Sequence, residues 1–210
     1  MKFPLTTQLA ESTADSALKA ELDQLLKFAA DIAAKIVEII GKIFIKTATV
    51  ITGAAPEQGA TIDSLISNFK KVAGERNITD IWIDDDITGW FPDEKVAETI
   101  AGPSRLLRFV ESITHAKIID GCKQLNAYQE YDLSDAITRA TQLVAAGELD
   151  KKDNTGIIIY LTNRKNGTPC RLDVWRNDDG KLDLHVFEVI PDSEWGAGNG
   201  VLCSNENLDA

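Results

Sequence analysis

The chain has 210 residues, of which 44% are hydrophobic and 26% charged, a composition typical of folded globular proteins and not of low-complexity disorder. Its formal net charge of −11 disfavours nucleic acid as a partner, because binding to phosphates requires clustered lysine and arginine side chains. This negative charge is compatible with a basic protein partner, and it could also serve only to keep the protein soluble.

The negative charge is concentrated in two stretches of the chain. Residues 75–100 carry 8 acidic and 2 basic side chains, and residues 173–210 carry 9 acidic and 2 basic side chains. The three cysteines lack the spacing of a metal site, and the N-terminal residues lack the apolar segment of a secretory signal. We therefore expect a cytoplasmic protein with reduced thiols.

Residues 16–46 show the clearest periodic pattern. Polar residues recur at steps of three or four from Gln24 to Lys46, and the other positions are apolar. This pattern predicts a long buried helix, with Ile36 and Ile40 among its most buried residues. A homodimer contact through this helix, or an effector or pore-forming role, is the alternative. Four charged residues in its middle disfavour stable membrane insertion.

This helix lies in a predicted N-terminal segment, 1–52, and residues 53–59 are predicted to link it to an α+β body over 60–210. Helices are expected over 61–150. One begins at Thr61 or Asp63 and ends near Gly74, and a strand follows over 78–83.

Further helices are predicted in the same part of the chain. One begins at Pro92, is broken near Gly102 and resumes over 104–119, because proline and glycine interrupt helical hydrogen bonding. Another runs from Ser134, as its N-cap, to Gly147.

The period changes to that of β-strands over 156–204. Ile157–Leu161 is an apolar run typical of a strand buried on both faces, and 171–176 and 181–190 alternate as the strands of a hairpin. A three-residue loop with Gly180 in the left-handed conformation is favoured, because it places apolar residues opposite each other. The same register places Asp173 opposite His185. Residues 201–203 are predicted to add an edge strand.

These elements predict an α+β fold: a helical N-terminal half with a long buried helix, packed on a mainly antiparallel C-terminal sheet as one compact unit. We expect the helices to cover one face of the sheet. The other face would then be at least partly open to solvent.

The stretch from Ile81 to Thr88 has an apolar strand followed by Asp-x-Asp-x-Thr. It resembles the first motif of haloacid-dehalogenase-type phosphotransferases, and Thr162 resembles the phosphate-binding strand end of that family. The resemblance implies that Asp84 is the nucleophile, that Asp86 is the acid/base and that Mg²⁺ lies between them. The other interpretation is a solvated acidic turn that precedes Gly89.

Two hypotheses for the function follow. The first is a non-enzymatic binding protein, such as an inhibitor or immunity-type factor, that needs no cofactor and offers acidic and aromatic surfaces to a protein partner. The second is a Mg²⁺-dependent phosphohydrolase centred on Asp84 and Asp86. The residues expected to bind the partner are Asp84, Asp85, Asp86, Trp90, Asp173, Trp175, Asp183, His185 and Trp195.

Overall fold

The computed structural model describes residues 18–32, 44–52, 60–91, 96, 102–151 and 154–205. The chain divides into two compact units, Met1–Lys42 and Ile43–Ala210, instead of the single unit predicted from the sequence. The predicted linker at 53–59 and the predicted helix start at Pro92 lie outside the described residues.

In the first unit, residues 18–32 form helix α1, which confirms the helix over this stretch. All of its side chains are exposed, so the burial predicted for the helix is not found here. Ile36 and Ile40 lie outside the described residues. Within the described parts of the chain, no helix is both long and apolar enough to cross a membrane.

The predicted helix does not continue to residue 46, because a β-strand begins at Phe44. The sequence of this strand, FIKTATVI, is rich in β-branched and aromatic residues, which favour extended structure. The strand pairs with a neighbour in the second unit and belongs to that unit.

The second unit contains four described helices: α2 (Ile62–Glu75), α3 (Asp86–Gly89), α4 (His115–Gln124) and α5 (Leu133–Ala145). Its described strands are β1 (Phe44–Ile51), β2 (Ile81–Ile83), β3 (Ser104–Phe109), β4 (Ile113–Thr114), β5 (Thr155–Lys165), β6 (Thr168–Arg176), β7 (Leu182–Glu188), β8 (Glu194–Trp195) and β9 (Gly200–Ser204).

Seven of the described strands form one sheet in the order β1-β3-β9-β5-β6-β7-β2. The β5–β9 and β2–β7 pairs are parallel, and the other four pairs are antiparallel. The fold is therefore α+β with a mainly antiparallel sheet, as predicted. Strand β9 is not at the edge, where we expected it. Val201, Leu202 and Cys203 are buried on both faces, and this requires a central position.

The helix predicted over 104–119 is wrong for most of its length. Residues 104–109 form β3 between β1 and β9, β4 follows, and helix α4 begins only at His115. Adjacent Leu106 and Leu107 fit a helical pattern, but both are buried because the strand is covered on its two faces. The side chain of Thr114 caps α4 by accepting a hydrogen bond from the Lys117 N–H.

The two other predicted helices are confirmed, with one change of cap. Thr61 caps α2 in a reciprocal capping box with Ser64. Helix α5 has Asp132 at the N-cap position, and not Ser134. The Asp132 carboxylate accepts a hydrogen bond from the Thr162 hydroxyl on β5 and makes no capping bond to its own helix.

The two faces of the sheet are covered differently. Helix α5 packs on β5 and β6, and α2 packs on α5, so that the main apolar core lies on this face. On the second face, α4 lies over β1 and β9. Its Gly121 fits against the Phe44 ring of β1, and its Cys122 touches Cys203 of β9. The small β4–β8 sheet also belongs to this second layer. Beside it, the second face of β6 and β7 is left open.

Candidate functional site

The β6–β7 hairpin has the register predicted from the sequence. Asp173 is paired with His185 and Trp175 with Asp183, and Gly180 has a φ of 91° in the connecting loop. Because side chains alternate along a strand, the four paired residues Asp173, Trp175, Asp183 and His185 share the second face of the sheet. They line a cavity of about 430 Å³, together with Arg171, Phe187, residues 193–196 and Asn199.

Two tryptophans form one wall of the cavity. The Trp175 and Trp195 ring centroids are 5.6 Å apart, and both rings pass over Gly156 of β5. A Cβ at Gly156 would lie 2.9 Å from the Trp195 ring and 3.1 Å from the Trp175 ring, so glycine is needed for this close approach. Trp175 donates its indole N–H to the Asn154 side-chain oxygen. Trp195 is buried in β8.

The opposite wall contains His185. Its ring stacks on the Phe187 ring, with the centroids 5.1 Å apart. The Trp82 ring of β2 also contacts it, and the centroids of the Trp82 and His185 rings are 4.3 Å apart. Carboxylate oxygens of Asp84 and Asp183 lie 3.8 and 3.9 Å from its two ring nitrogens. Burial lowers the pKa of His185, and the two carboxylates oppose this shift.

The floor of the cavity is an ion pair. Both carboxylate oxygens of Asp173 accept hydrogen bonds from Nε of Arg171, at 3.1 and 3.0 Å. Burial raises the pKa of Asp173 to about 6, although Arg171 acts in the opposite direction. Arg171 also donates to the Glu188 carbonyl and lies over the Phe187 ring, so its guanidinium is held in place.

Asp183 is a further carboxylate in the lining of the cavity. Its Oδ1 atom is buried and accepts no hydrogen bond from any described residue. The Lys181 ammonium lies 3.2 Å from that oxygen, without the geometry of a hydrogen bond, and is itself one-third exposed. This ion pair leaves the Asp183 side chain 15% exposed in the lining of the cavity.

A chain of three buried polar side chains supports the tryptophan wall. The Trp195 indole N–H donates to Nε2 of His115, and Nδ1 of His115 lies 2.8 Å from the Tyr160 hydroxyl. Burial, and secondly the charge of Arg171, lowers the pKa of His115 to about 3. His115, Tyr160 and Arg171 were not predicted from the sequence as parts of the site. Gly156 did carry a signal, since a glycine at the start of a buried strand often marks a close approach.

The acidic turn lies only partly at this site. Asp84 borders the cavity, and its Oδ1 accepts the backbone N–H of Asp86 at the start of α3. Asp85, Asp86 and Trp90 do not line the cavity. Trp90 packs against the main core, and the Lys165 ammonium lies 3.4 Å from the centre of its ring.

The structure does not bring Thr162 to the acidic turn. Thr162 is on β5 and Asp84 follows β2, and β6 and β7 lie between these strands. Three inter-strand spacings amount to roughly 14 Å, too far for both to contact one phosphate. Among the described residues, no group of three or more His, Cys, Asp or Glu side chains is arranged to hold a metal ion.

Compared with protein families, curated proteins and solved structures, the chain gives no significant match in any of the three.

Proposed function

We propose that the protein binds another protein, and that the cavity on β6 and β7 receives a basic side chain of this partner. The observation that carries the proposal is the lining of the cavity, which combines the Asp183 carboxylate with the rings of Trp175, Phe187 and Trp195. An incoming ammonium or guanidinium group would donate to the exposed part of the Asp183 carboxylate, whose side chain is 15% exposed.

The walls suit the same kind of group. A cation is attracted to the faces of aromatic rings, and Trp175, Trp195 and Phe187 surround the space next to Asp183. The charges of the side chains that line the cavity also favour the binding of a cation. The lining has three carboxylates, those of Asp173, Asp183 and Glu194, and one arginine, while Asp84 and Lys181 stand beside it with opposite charges. His185 adds no positive charge at neutral pH, because its pKa is lowered.

Short peptides test this proposal directly. We expect peptides that contain arginine or lysine to change the tryptophan fluorescence in a saturable way, and matched peptides with glutamate to have no effect. Binding should weaken as salt is added, because the attraction is electrostatic. Equal binding of acidic and basic peptides, or no binding of either, would contradict the proposal.

Two variants locate the binding to the cavity. Phe187 is 40% exposed and lines the cavity, whereas Ile190 is 62% exposed and lies beyond the end of β7. Phe187→Ala should weaken peptide binding by about 2 kcal/mol, or roughly 30-fold, as is usual for an aromatic hot spot. Ile190→Ala removes a similar apolar area and should leave the affinity unchanged. Equal losses would indicate non-specific hydrophobic binding.

A further inference from the structure

Two of the three cysteines are in contact. Sγ of Cys122, on α4, lies 3.0 Å from Sγ of Cys203, on β9, although the residues are 81 positions apart in the chain. All three cysteines are free thiols in the structure, and all are buried. Cys170 lies in the main core on the other face of the sheet.

The distance between the two sulfur atoms is close to that of a disulfide. A disulfide bond has a length of about 2.05 Å, so the atoms would have to approach by about 1 Å. Rotation of two side chains can supply such a movement. The two sulfur atoms already bring α4 and β9 into contact, and Gly121 of α4 lies against the Phe44 ring of β1 on the same face.

We propose that Cys122 and Cys203 are a site of reversible disulfide formation, and that a small-molecule disulfide such as oxidised glutathione is the oxidant. The thiolate of one cysteine attacks a sulfur atom of the oxidant, whose S–S bond breaks to release one glutathione. The second cysteine then attacks the cysteine sulfur of the mixed disulfide and expels the second glutathione. The two cysteine protons are taken up by the two glutathione molecules, which are thereby reduced.

Burial makes this site slow to react and selective. The hydrogen bond with Cys122, together with burial, raises the pKa of the Cys203 thiol, so that little reactive thiolate forms at neutral pH. The oxidant must therefore react while α4 is displaced from the sheet. When α4 packs again, the sulfur atoms of Cys122 and Cys203 meet each other, and neither meets Cys170.

The bond would fix one wall of the cavity. Helix α4 begins at His115, which accepts the indole N–H of Trp195. A covalent link from this helix to the centre of the sheet holds that support in place. The link also closes a long loop, and this restricts the unfolded chain.

The test is to incubate the native protein with oxidised glutathione, block the remaining thiols and map the links by mass spectrometry. We expect a single link, Cys122–Cys203, and a chain that has lost the mass of two hydrogen atoms. The melting temperature should rise by roughly 5–15 °C. The same chain treated in urea is the control, and it should give all three pairings of the cysteines.

Two variants separate this pair from chance oxidation. Cys170→Ala should form the same link, and Cys203→Ala should give at most a glutathione adduct. The proposal is overturned if the native wild-type chain gives links to Cys170, gives only glutathione adducts, or gives no link while the unfolded chain reacts fully. These wild-type results do not depend on the folding of any variant.

Discussion

The indole N–H of Trp195 donates a hydrogen bond of 2.9 Å to Nε2 of His115, and this bond joins β8 to α4 inside the protein. It also determines the tautomer of the His115 imidazole. Because Nε2 accepts this bond, the proton of the neutral ring is on Nδ1, where it is donated to the Tyr160 hydroxyl.

Trp195→Phe keeps an aromatic ring in the wall but removes the N–H. We expect the free energy of unfolding to fall by about 1–3 kcal/mol, because a buried acceptor on His115 loses its donor. Urea unfolding measures this loss. The control is Trp175→Phe, which removes an N–H that bonds the exposed Asn154 and should cost about 0.5 kcal/mol or less. Equal losses would mean that ring volume matters, and not the hydrogen bond.

His115 should make the protein sensitive to acid. Its pKa is about 3 in the folded state and 6.5 ordinarily, so the unfolded chain takes up a proton in this range and the folded chain does not. The contribution of His115 to stability is therefore complete above pH 6.5 and is lost as the pH falls towards 3. The contribution should decrease by roughly 3 kcal/mol between pH 6.5 and pH 4. His115→Gln cannot titrate. The difference between wild type and this variant, measured by urea unfolding across the range, should show that slope.

Asp173 should act in the opposite direction. Its folded pKa of about 6 is above the ordinary 3.8, so its contribution to stability is full below pH 3.8 and is lost as the pH rises through 6. Relative to wild type, Asp173→Asn should therefore gain about 2 kcal/mol of stability between pH 4 and pH 7. The measurement is again urea unfolding at a series of pH values. A constant difference between the two proteins would contradict the raised pKa.

Gly180→Val should destabilise the hairpin by more than about 1 kcal/mol, because φ at this position is 91° and a β-branched residue is strained there. Thermal or urea unfolding measures the loss. Gly74→Ala is the matched control. Gly74 lies in α2 with open space around its Cα, and alanine there should stabilise the protein by about 0.5–1 kcal/mol. Similar losses in both variants would argue against a special role for the left-handed glycine.

The parts of the site that could be predicted from the sequence are those set by local rules. Alternation along β6 and β7, and a glycine in the loop, were enough to place Asp173 opposite His185. The tryptophan wall could not be found in this way. Trp195 and His115 are 80 residues apart, and the pairing of β4 with β8, which sets Ile113 opposite Trp195, brings them together.

The errors in the fold have a similar origin. Residues 104–109 and 44–51 are compatible with more than one local structure, and they are strands because β1, β3 and β9 hydrogen-bond to one another. Those pairings join distant parts of the chain. Thr162 does not reach Asp84, because two strands of a later hairpin lie between β5 and β2.

The central position of β9 has a consequence for protein synthesis. β9 is the last of the described strands to leave the ribosome, and it fills the gap between β3 and β5. Before it arrives, these two strands present open edges to which other chains can add. The sheet therefore assembles late and through distant contacts, which makes folding slow. During that interval the open edges expose the nascent chain to aggregation.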